Sequence, residues 1–257
     1  MKVDRRIIEL LKFARDAYYD TDGKLNIAYG SVLSIWHDFR EVGTDDPMAA
    51  ELPPDELLAE AAEHTDISYM IIDEEKSTVY LEDAAMKLDV GAVAKGYAVE
   101  KVTQQLIENG FISGLISVGG NVRAIGLKPG KNELWNVGVQ NPDKTSEKAN
   151  LHILYLEDTS LVTSGNYIRY YTVNGKQYHH IIDPETNYPA NYFKAVTVVC
   201  RDSGYADILS TALYVMTYED GLSLLETIPR TQAMWVMPDG SELYSLGFLE
   251  LLNNKNQ

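Results

Sequence analysis

Cysteine is almost missing from this sequence. Cys200 is the only one, so no intrachain disulfide can form and a cysteine-built metal site is excluded. It closes A-V-T-V-V-C, a strand-like run in which it reads as a small buried hydrophobe. Cations are scarce too: 22 Lys and Arg against 38 Asp and Glu leave a formal net charge of -16. That balance excludes sequence-independent nucleic-acid binding, which needs a basic footprint. It also repels anionic substrates, so any phosphate ligand requires a local cation or a metal. No apolar run approaches the length of a membrane span. The start carries no secretory signal pattern; Met1 leads straight into an amphipathic stretch, which leaves room for upstream residues having been removed.

What is present is ordinary globular material: 257 residues, 45% hydrophobic and 23% charged, enough for one sizeable core or two smaller ones. With no internal repeat and no Ser/Gly linker, one domain over residues 1–257 is the simplest count. Ile7, Ile8, Leu11, Ala14 and Tyr18 recur at helical spacing and predict a first helix from Asp4 to Tyr19. Leu25 to Phe39 fits helix or strand, and Glu41 to Pro54 is expected as an acidic surface loop before Pro53-Pro54 opens a short helix. Ile67 to Asp73 and Thr78 to Glu82 read as a hairpin. Gly119-Gly120 suggests a bulge or close backbone approach within a strand, and Asn174-Gly175 is the strongest hairpin signal. Val196 to Cys200 reads as a strand before a helix from Asp202 to Met216, then a short helix near Gly221 and a hairpin about Pro238 to Gly240. The fold class is α+β, with mainly antiparallel sheet flanked by helices.

The chain is organised around Leu88 to Tyr97, L-D-V-G-A-V-A-K-G-Y. An apolar strand is expected to end at Asp89, with Gly91 and Gly96 bracketing a turn that holds Lys95 and a helix running on toward Asn109. This puts backbone N–H groups, a carboxylate and a cation at a helix N-terminus, where phosphate is favoured. Most such turns do nothing more than turn the chain, and this one fits neither the Rossmann nor the P-loop pattern.

Asp207 and Thr211, four apart in A-D-I-L-S-T-A-L, share a helical face. A carboxylate beside a hydroxyl suits Mg²⁺, whose shell is commonly completed by waters and substrate phosphates. The plainer alternative is a solvated Asp and a Thr bonded to its own backbone. H-H-I-I-D-P-E-T-N-Y-P places His179, His180 and Asp183 at a strand end before a turn. Strand alternation sends His180 and Ile182 to one face; a ligand contact and plain Asp-Pro turn chemistry carry comparable weight. Zinc is disfavoured, because adjacent strand histidines point apart and no third ligand is spaced for it. T-S-G-N-Y, Thr163 to Tyr167, is expected after a strand, as a turn presenting hydroxyls to phosphate or as a simple connection. Ser164 has no G-x-S-x-G elbow, so a hydrolase triad is poorly supported. Trp36 and Phe39 suit either stacking on a flat ring or a place in the core.

Together these stretches resemble the ApbE family, the FAD:protein FMN transferases. L-D-V-G-A-V-A-K-G-Y-A is similar to that family's L-D-[LF]-G-G-[IV]-A-K-G-Y-A, and S-V-G-G-N-V-R-A-I-G to its G-G-[ND]-[IV] strand. V-T-S-G-N-Y-I-R-Y-Y, H-I-I-D-P-E-T-N-Y-P and Y-A-D-I-L-S-T-A-L-Y-V-M resemble its T-S-G, H-I-[IL]-D-P and A-D-A-L motifs. T-D-G-K-L-N-I-A-Y-G-S-V-L-S-I-W resembles its opening T-D-G segment. The motifs run in order from Thr21 to Met216. The resemblance implies an ApbE-like α+β domain that cleaves the FAD pyrophosphate, passes FMN to a Thr or Ser hydroxyl of an acceptor protein and releases AMP. It implies Mg²⁺ on the side chains of Asp207 and Thr211, with backbone oxygen from Ala92 and Ser210. It implies FAD contacts from Asp89, Lys95 and His180, from Thr163 and Ser164, and from the Trp36, His37, Asp38 segment. Catalysis then rests on Asp207, with Asp89 or His180 able to take the proton of the acceptor hydroxyl, or with the metal making a base unnecessary.

The departures from the family pattern are specific. Ala92 stands where the family often has Gly, which leaves a carbonyl available. Asn187 replaces a turn Gly and tolerates positive φ. The family's first strand and its early flavin-contacting Met lie upstream of Met1, so either the ends were trimmed or FAD binding is weakened. Family members are commonly exported lipoproteins; an extracytoplasmic, membrane-anchored location is what the resemblance suggests, with membrane contact only if a lipid anchor has been removed. Two other activities compete: an FAD pyrophosphatase giving FMN and AMP, and a non-catalytic FAD-binding protein. Asp207, Thr211 and Lys95 favour the enzymes, since a mere binder has no need of a metal at the pyrophosphate.

Overall fold

The structure, a computed structural model, describes residues 1–253. The chain forms two compact units, each built from separate stretches: Met1–Gly91 with Ile168–Ala190, and Ala92–Tyr167 with Asn191 onward. Unit one opens with α1 (Arg5–Asp20), α2 (Gly30–Asp45), α3 (Asp55–Ala62), β1 (Met70–Asp73) and β2 (Thr78–Leu81). Unit two follows with α4 (Ala94–Glu108), β3 (Gly114–Val118), β4 (Asn121–Ile125), β5 (Trp135–Gln140), β6 (Asn150–Leu156) and β7 (Ser160–Gly165). The chain returns to unit one for β8 (Tyr170–Val173), β9 (Lys176–His179), β10 (Ile182–Asp183) and β11 (Tyr188–Pro189). It then completes unit two with β12 (Ala195–Cys200), α5 (Ser203–Ala212), α6 (Tyr218–Glu226), β13 (Gln232–Val236), β14 (Glu242–Tyr244) and α7 (Glu250–Asn253). Every ladder between these strands is antiparallel, and α+β is the class observed, as expected.

In unit one, Asp4 caps α1 by accepting the Arg6 N–H, and Ile8, Leu11, Ala14 and Ala17 bury its inner face. The ambiguous segment after Leu25 becomes helix from Gly30. A Cβ there would lie 2.6 Å from the Lys87 carbonyl oxygen, so glycine lets α2 start against that backbone. α2 runs on to Asp45, which corrects the loop expected from Glu41. Its last turn is held because buried Gly43 lies against Tyr171 and Ala50, a tertiary contact that overrides weak local preference. The expected strand ending at Asp89 is also corrected. It reduces to a single Tyr29–Lys87 bridge and an Asp89 N–H donated to the Ile27 carbonyl at 2.8 Å. Asn174 and Gly175 take φ of 49° and 79° and close the β8–β9 hairpin as their dipeptide predicts. Asn187 adopts φ 61°, so the turn survives the replaced glycine.

Unit two is built on a six-stranded sheet in the order β14-β13-β12-β7-β4-β3. The β5–β6 hairpin covers one face through Val137, Val139, Leu154 and Leu156, packed with Leu161, Ala195, Val199 and Met234. With both faces covered, every residue of β12 is buried, Cys200 included, and burial pushes its thiol up to about 12. The small-hydrophobe reading of that cysteine holds. Gly119 and Gly120 do not bulge a strand. With φ of 56° and 94° they form the tight turn between β3 and β4. Thr163 to Gly165 are likewise not a turn after a strand but the end of β7, paired with Thr197 to Ala195 of β12. The helix expected to reach Met216 ends at Ala212 and continues as a 3₁₀ turn over Leu213–Val215, while Asp202 caps it by accepting the Tyr205 N–H.

Candidate functional site

The site in unit two is a crossing of two helices. α4 begins at Ala94, so Gly96 is no bracket of a turn, as the sequence suggested; it sits buried in the first helical turn. A Cβ at Gly96 would lie 2.2 Å from the Ser203 carbonyl oxygen and 2.5 Å from Asp207 Cβ. Only glycine lets the α4 backbone rest directly on α5. At that separation the Gly96 N–H, one of the donors a helix start leaves unpaired, donates to Asp207 Oδ2 at 2.8 Å. Lys95 Nζ lies 3.3 Å from each Asp207 carboxylate oxygen. The Asp207 side chain is 4% exposed and that of Lys95 39%, so the carboxylate is buried and the ammonium reaches solvent. Burying a carboxylate is costly without such partners.

One turn along α5 the donors become hydroxyls. Ser210 Oγ donates to the Asp207 carbonyl at 2.9 Å, Ser164 Oγ lies 2.8 Å from Ser210 Oγ, and Ser164 Oγ lies 3.2 Å from Thr211 Oγ1. Strand alternation separates the two β7 residues expected to act together. Ser164 faces α5, whereas Thr163 faces the other way and bonds Thr197 Oγ1 at 2.9 Å. Ala92 is half-buried just ahead of α4. Among the described residues no group of three or more His, Cys, Asp or Glu side chains is placed to hold a metal. What this corner offers is one carboxylate, with hydroxyl oxygens one turn along the same helix. An all-oxygen set of low charge fits Mg²⁺ and leaves its remaining positions to waters and phosphate.

In unit one, Asp89 is exposed and its Oδ1 accepts the Gly91 N–H at 2.7 Å. Trp36 is 1% exposed, its indole N–H donates to the Asn187 carbonyl at 2.8 Å, and its ring stacks with Tyr178 at a centroid distance of 6.2 Å. That placement is a core anchor. His37 and Asp38 are exposed beyond it, His37 Nε2 lying 3.2 Å from Glu41 and Nδ1 accepting from Arg40 at 3.0 Å. β9 ends at His179, so strand alternation does not govern His180. The Arg169 carbonyl lies 3.2 Å from the His180 backbone N–H and 3.3 Å from its Nδ1. A carbonyl only accepts, so Nδ1 carries the proton and Nε2 the lone pair. Burial, reinforced by His179, Arg169 and Arg40, lowers the His180 ring to about 4, and it is neutral at pH 7. Asp183 makes the turn expected of Asp-Pro, accepting the Glu185 N–H at 2.9 Å through Oδ1 and the Asn187 N–H at 2.9 Å through its carbonyl.

His179 gives a pH prediction. It is 4% exposed, donates from Nε2 to the Ala190 carbonyl at 2.7 Å and accepts the Ile181 N–H at Nδ1 at 3.2 Å. Burial lowers it to about 4. A group depressed in the fold binds its proton more readily when unfolded, so stability is full above about pH 6.5 and is lost as pH falls toward 4. The loss from this residue approaches about 3 kcal/mol. Urea unfolding from pH 7 to pH 4 should show His179→Gln with a flatter acid slope than wild type; identical slopes would assign acid sensitivity elsewhere.

The sequence pointed to Lys95, Asp207, Ser164, Ser210 and Thr211, and the structure brings them to one corner. It missed Gly96 as a contact residue. The available signal was a glycine inside a helical pattern, which costs about 1 kcal/mol relative to alanine and so implies a packing reason.

The ApbE family's sequence profile matches residues 1–235. A Treponema pallidum protein named FAD:protein FMN transferase is 34% identical over 261 residues, covering 96% of this chain and 70% of that protein. A Klebsiella pneumoniae protein of the same name is 33% identical over 236 residues, covering 91% of this chain and 70% of its own length. The crystal structure of the Thermotoga maritima ApbE protein superposes with a TM-score of 0.86 at 30% identity, covering 98% of this chain and 79% of that one. The apo flavinyl transferase ApbE of Pseudomonas stutzeri gives 0.79 at 27% identity, with 98% and 76% covered. The profile match, the sequence relatives and the superposed structures agree: the chain belongs to the ApbE family.

Proposed function

We propose that this protein is a Mg²⁺-dependent FAD:protein FMN transferase acting on a Thr or Ser hydroxyl of an acceptor protein. The observation that carries the reading is the Asp207 corner, where an ammonium and a helix-start N–H meet one buried carboxylate and a row of hydroxyls follows one turn along α5. In a chain of net charge -16, such a cation-bearing corner is where a diphosphate can be held. Asp207, with Thr211 and backbone oxygen from Ala92 and Ser210, would hold Mg²⁺. Bound there, the ion supplies charge neutralisation for the diphosphate and the departing AMP.

The chain's own residues do the rest. Lys95, its ammonium beside the Asp207 carboxylate and its side chain 39% exposed, draws the diphosphate to the start of α4, where the helix dipole also favours it. The acceptor hydroxyl oxygen attacks the phosphorus on the FMN side, the bond to the AMP phosphate breaks, and the hydroxyl proton is released. The new bond is a phosphoester to FMN, and AMP carries away the bridging oxygen. Transfer of this kind needs positioning and charge stabilisation, so no covalent enzyme nucleophile is required.

The test is incubation with FAD, Mg²⁺ and a flavin-acceptor domain. In-gel flavin fluorescence of the acceptor, with AMP released and chelator abolishing both, is the expected result. Free FMN and AMP without labelled acceptor would make the protein a pyrophosphatase, and bound intact FAD would make it a binder. Lys95→Ala is expected to weaken FAD binding about tenfold, together with some loss of melting temperature because the buried Asp207 carboxylate loses its cation. Unchanged affinity with a lowered melting temperature would make this lysine structural.

A further inference from the structure

The two helices that meet at Gly96 and Asp207 meet again one turn away. Glu100 follows Gly96 by four residues on α4, and Ser203 precedes Asp207 by four on α5, so both contacts lie on the same facing surfaces. Glu100 Oε2 accepts the Ser203 N–H at 3.0 Å and lies 3.4 Å from Nε of Arg123, which β4 supplies. Both partners are withdrawn from water, Arg123 being 3% and Glu100 12% exposed.

Ser203 is the first residue of α5, and its N–H is one that the helix cannot satisfy. Helix caps ordinarily come from the adjoining chain, and Asp202 plays that part for the Tyr205 N–H at 3.0 Å. The Ser203 N–H is instead taken by a carboxylate from another helix. Buried ion pairs contribute little net stability, and the Glu100–Arg123 pair is a poor candidate for a stabilising device. Its geometric effect is definite: Glu100, drawn to Arg123 by charge, bonds the Ser203 N–H, so a slide of α4 along α5 breaks that bond.

We infer that Glu100 is a positioning residue, setting the register in which the Gly96 N–H and Lys95 reach Asp207. One further turn along the same pairing lie Thr211 on α5 and Ala92 just before α4, so a slip at Glu100 reaches the whole oxygen set. The inference deepens the proposed function and rests on Asp207 as a metal ligand.

Glu100→Gln and Glu100→Leu test it. Both remove the charge and leave Arg123 without its partner, so both lose stability through the same mechanism. Only Gln keeps an oxygen for the Ser203 N–H. The readouts are melting temperature and Mn²⁺ affinity by electron paramagnetic resonance, with ADP present as an unreactive diphosphate. The Leu variant is expected to bind Mn²⁺ about fivefold more weakly than the Gln variant, and to melt somewhat lower because it alone leaves the Ser203 N–H without an acceptor. Should either fail to fold, both are remade with Arg123→Met, which removes the orphaned charge. Equal Mn²⁺ affinity in the Gln and Leu variants overturns the role of Glu100 while leaving the metal reading intact. Wild-type protein that binds no Mn²⁺ overturns both.

Discussion

Gly96→Ala is expected to destabilise the protein by several kcal/mol and to abolish flavin transfer. In a solvent-facing helix the same change gains up to about 1 kcal/mol, since alanine is the better helix former. Here the sign reverses. The new methyl would meet the Ser203 carbonyl oxygen at 2.2 Å and Asp207 Cβ at 2.5 Å. Neither is the tip of a flexible side chain, so relief requires α4 and α5 to separate. Overpacking of that kind costs about 1–3 kcal/mol, and the lost bond from the Gly96 N–H to a charged acceptor adds roughly 1.5–3 kcal/mol. Separation also withdraws Lys95 from the carboxylate, so the corner proposed to hold metal and diphosphate is lost with the packing. Thermal unfolding and FAD turnover on the same preparation check both effects. A raised melting temperature would mean that the helices do not touch at this point.

Asp207→Asn should give the opposite pattern, a large catalytic loss with a modest change in stability. The amide oxygen can still accept the Gly96 N–H, and Lys95, already partly in water, can turn to solvent. What vanishes is the negative charge, the only one among the proposed metal ligands. Turnover should fall about 100-fold or more, because charge stabilisation is the main contribution available to phosphoryl transfer. Mn²⁺ affinity should fall with it. Asp207→Ala should lose activity equally and also unfold more readily, by about 1–3 kcal/mol, since it leaves a buried N–H without an acceptor. Undiminished metal-dependent turnover in Asp207→Asn would remove Asp207 from the site.

Much of the molecule was legible before folding. Apolar period gave α1 to within a residue at each end, and the structure adds Asp4 as its cap. Asn174-Gly175 and the turn at Pro238 to Gly240 marked their hairpins through turn chemistry alone. Asp207 and Thr211 were readable as one helical face because four residues make about one turn. The errors share a different cause. The end of α2 depends on Gly43 meeting Tyr171, and the missing strand at Asp89 depends on which backbone lies beside it. Thr163 and Ser164 looked like one binding turn until pairing with β12 showed that they lie on opposite sheet faces.

The sequence by itself determined which local elements form and which side chains each presents, because periodicity, caps and turn residues act over a few positions. It also determined that an anion could be held only where a cation is concentrated, since the rest of the chain is acidic. Only the tertiary structure decided that Gly96 and Glu100 face Asp207 and Ser203 across more than a hundred residues of chain. That proximity depends on backbone clearance of a few ångströms and on a buried carboxylate finding its donors; a helical glycine signals close packing, but nothing local names the partner.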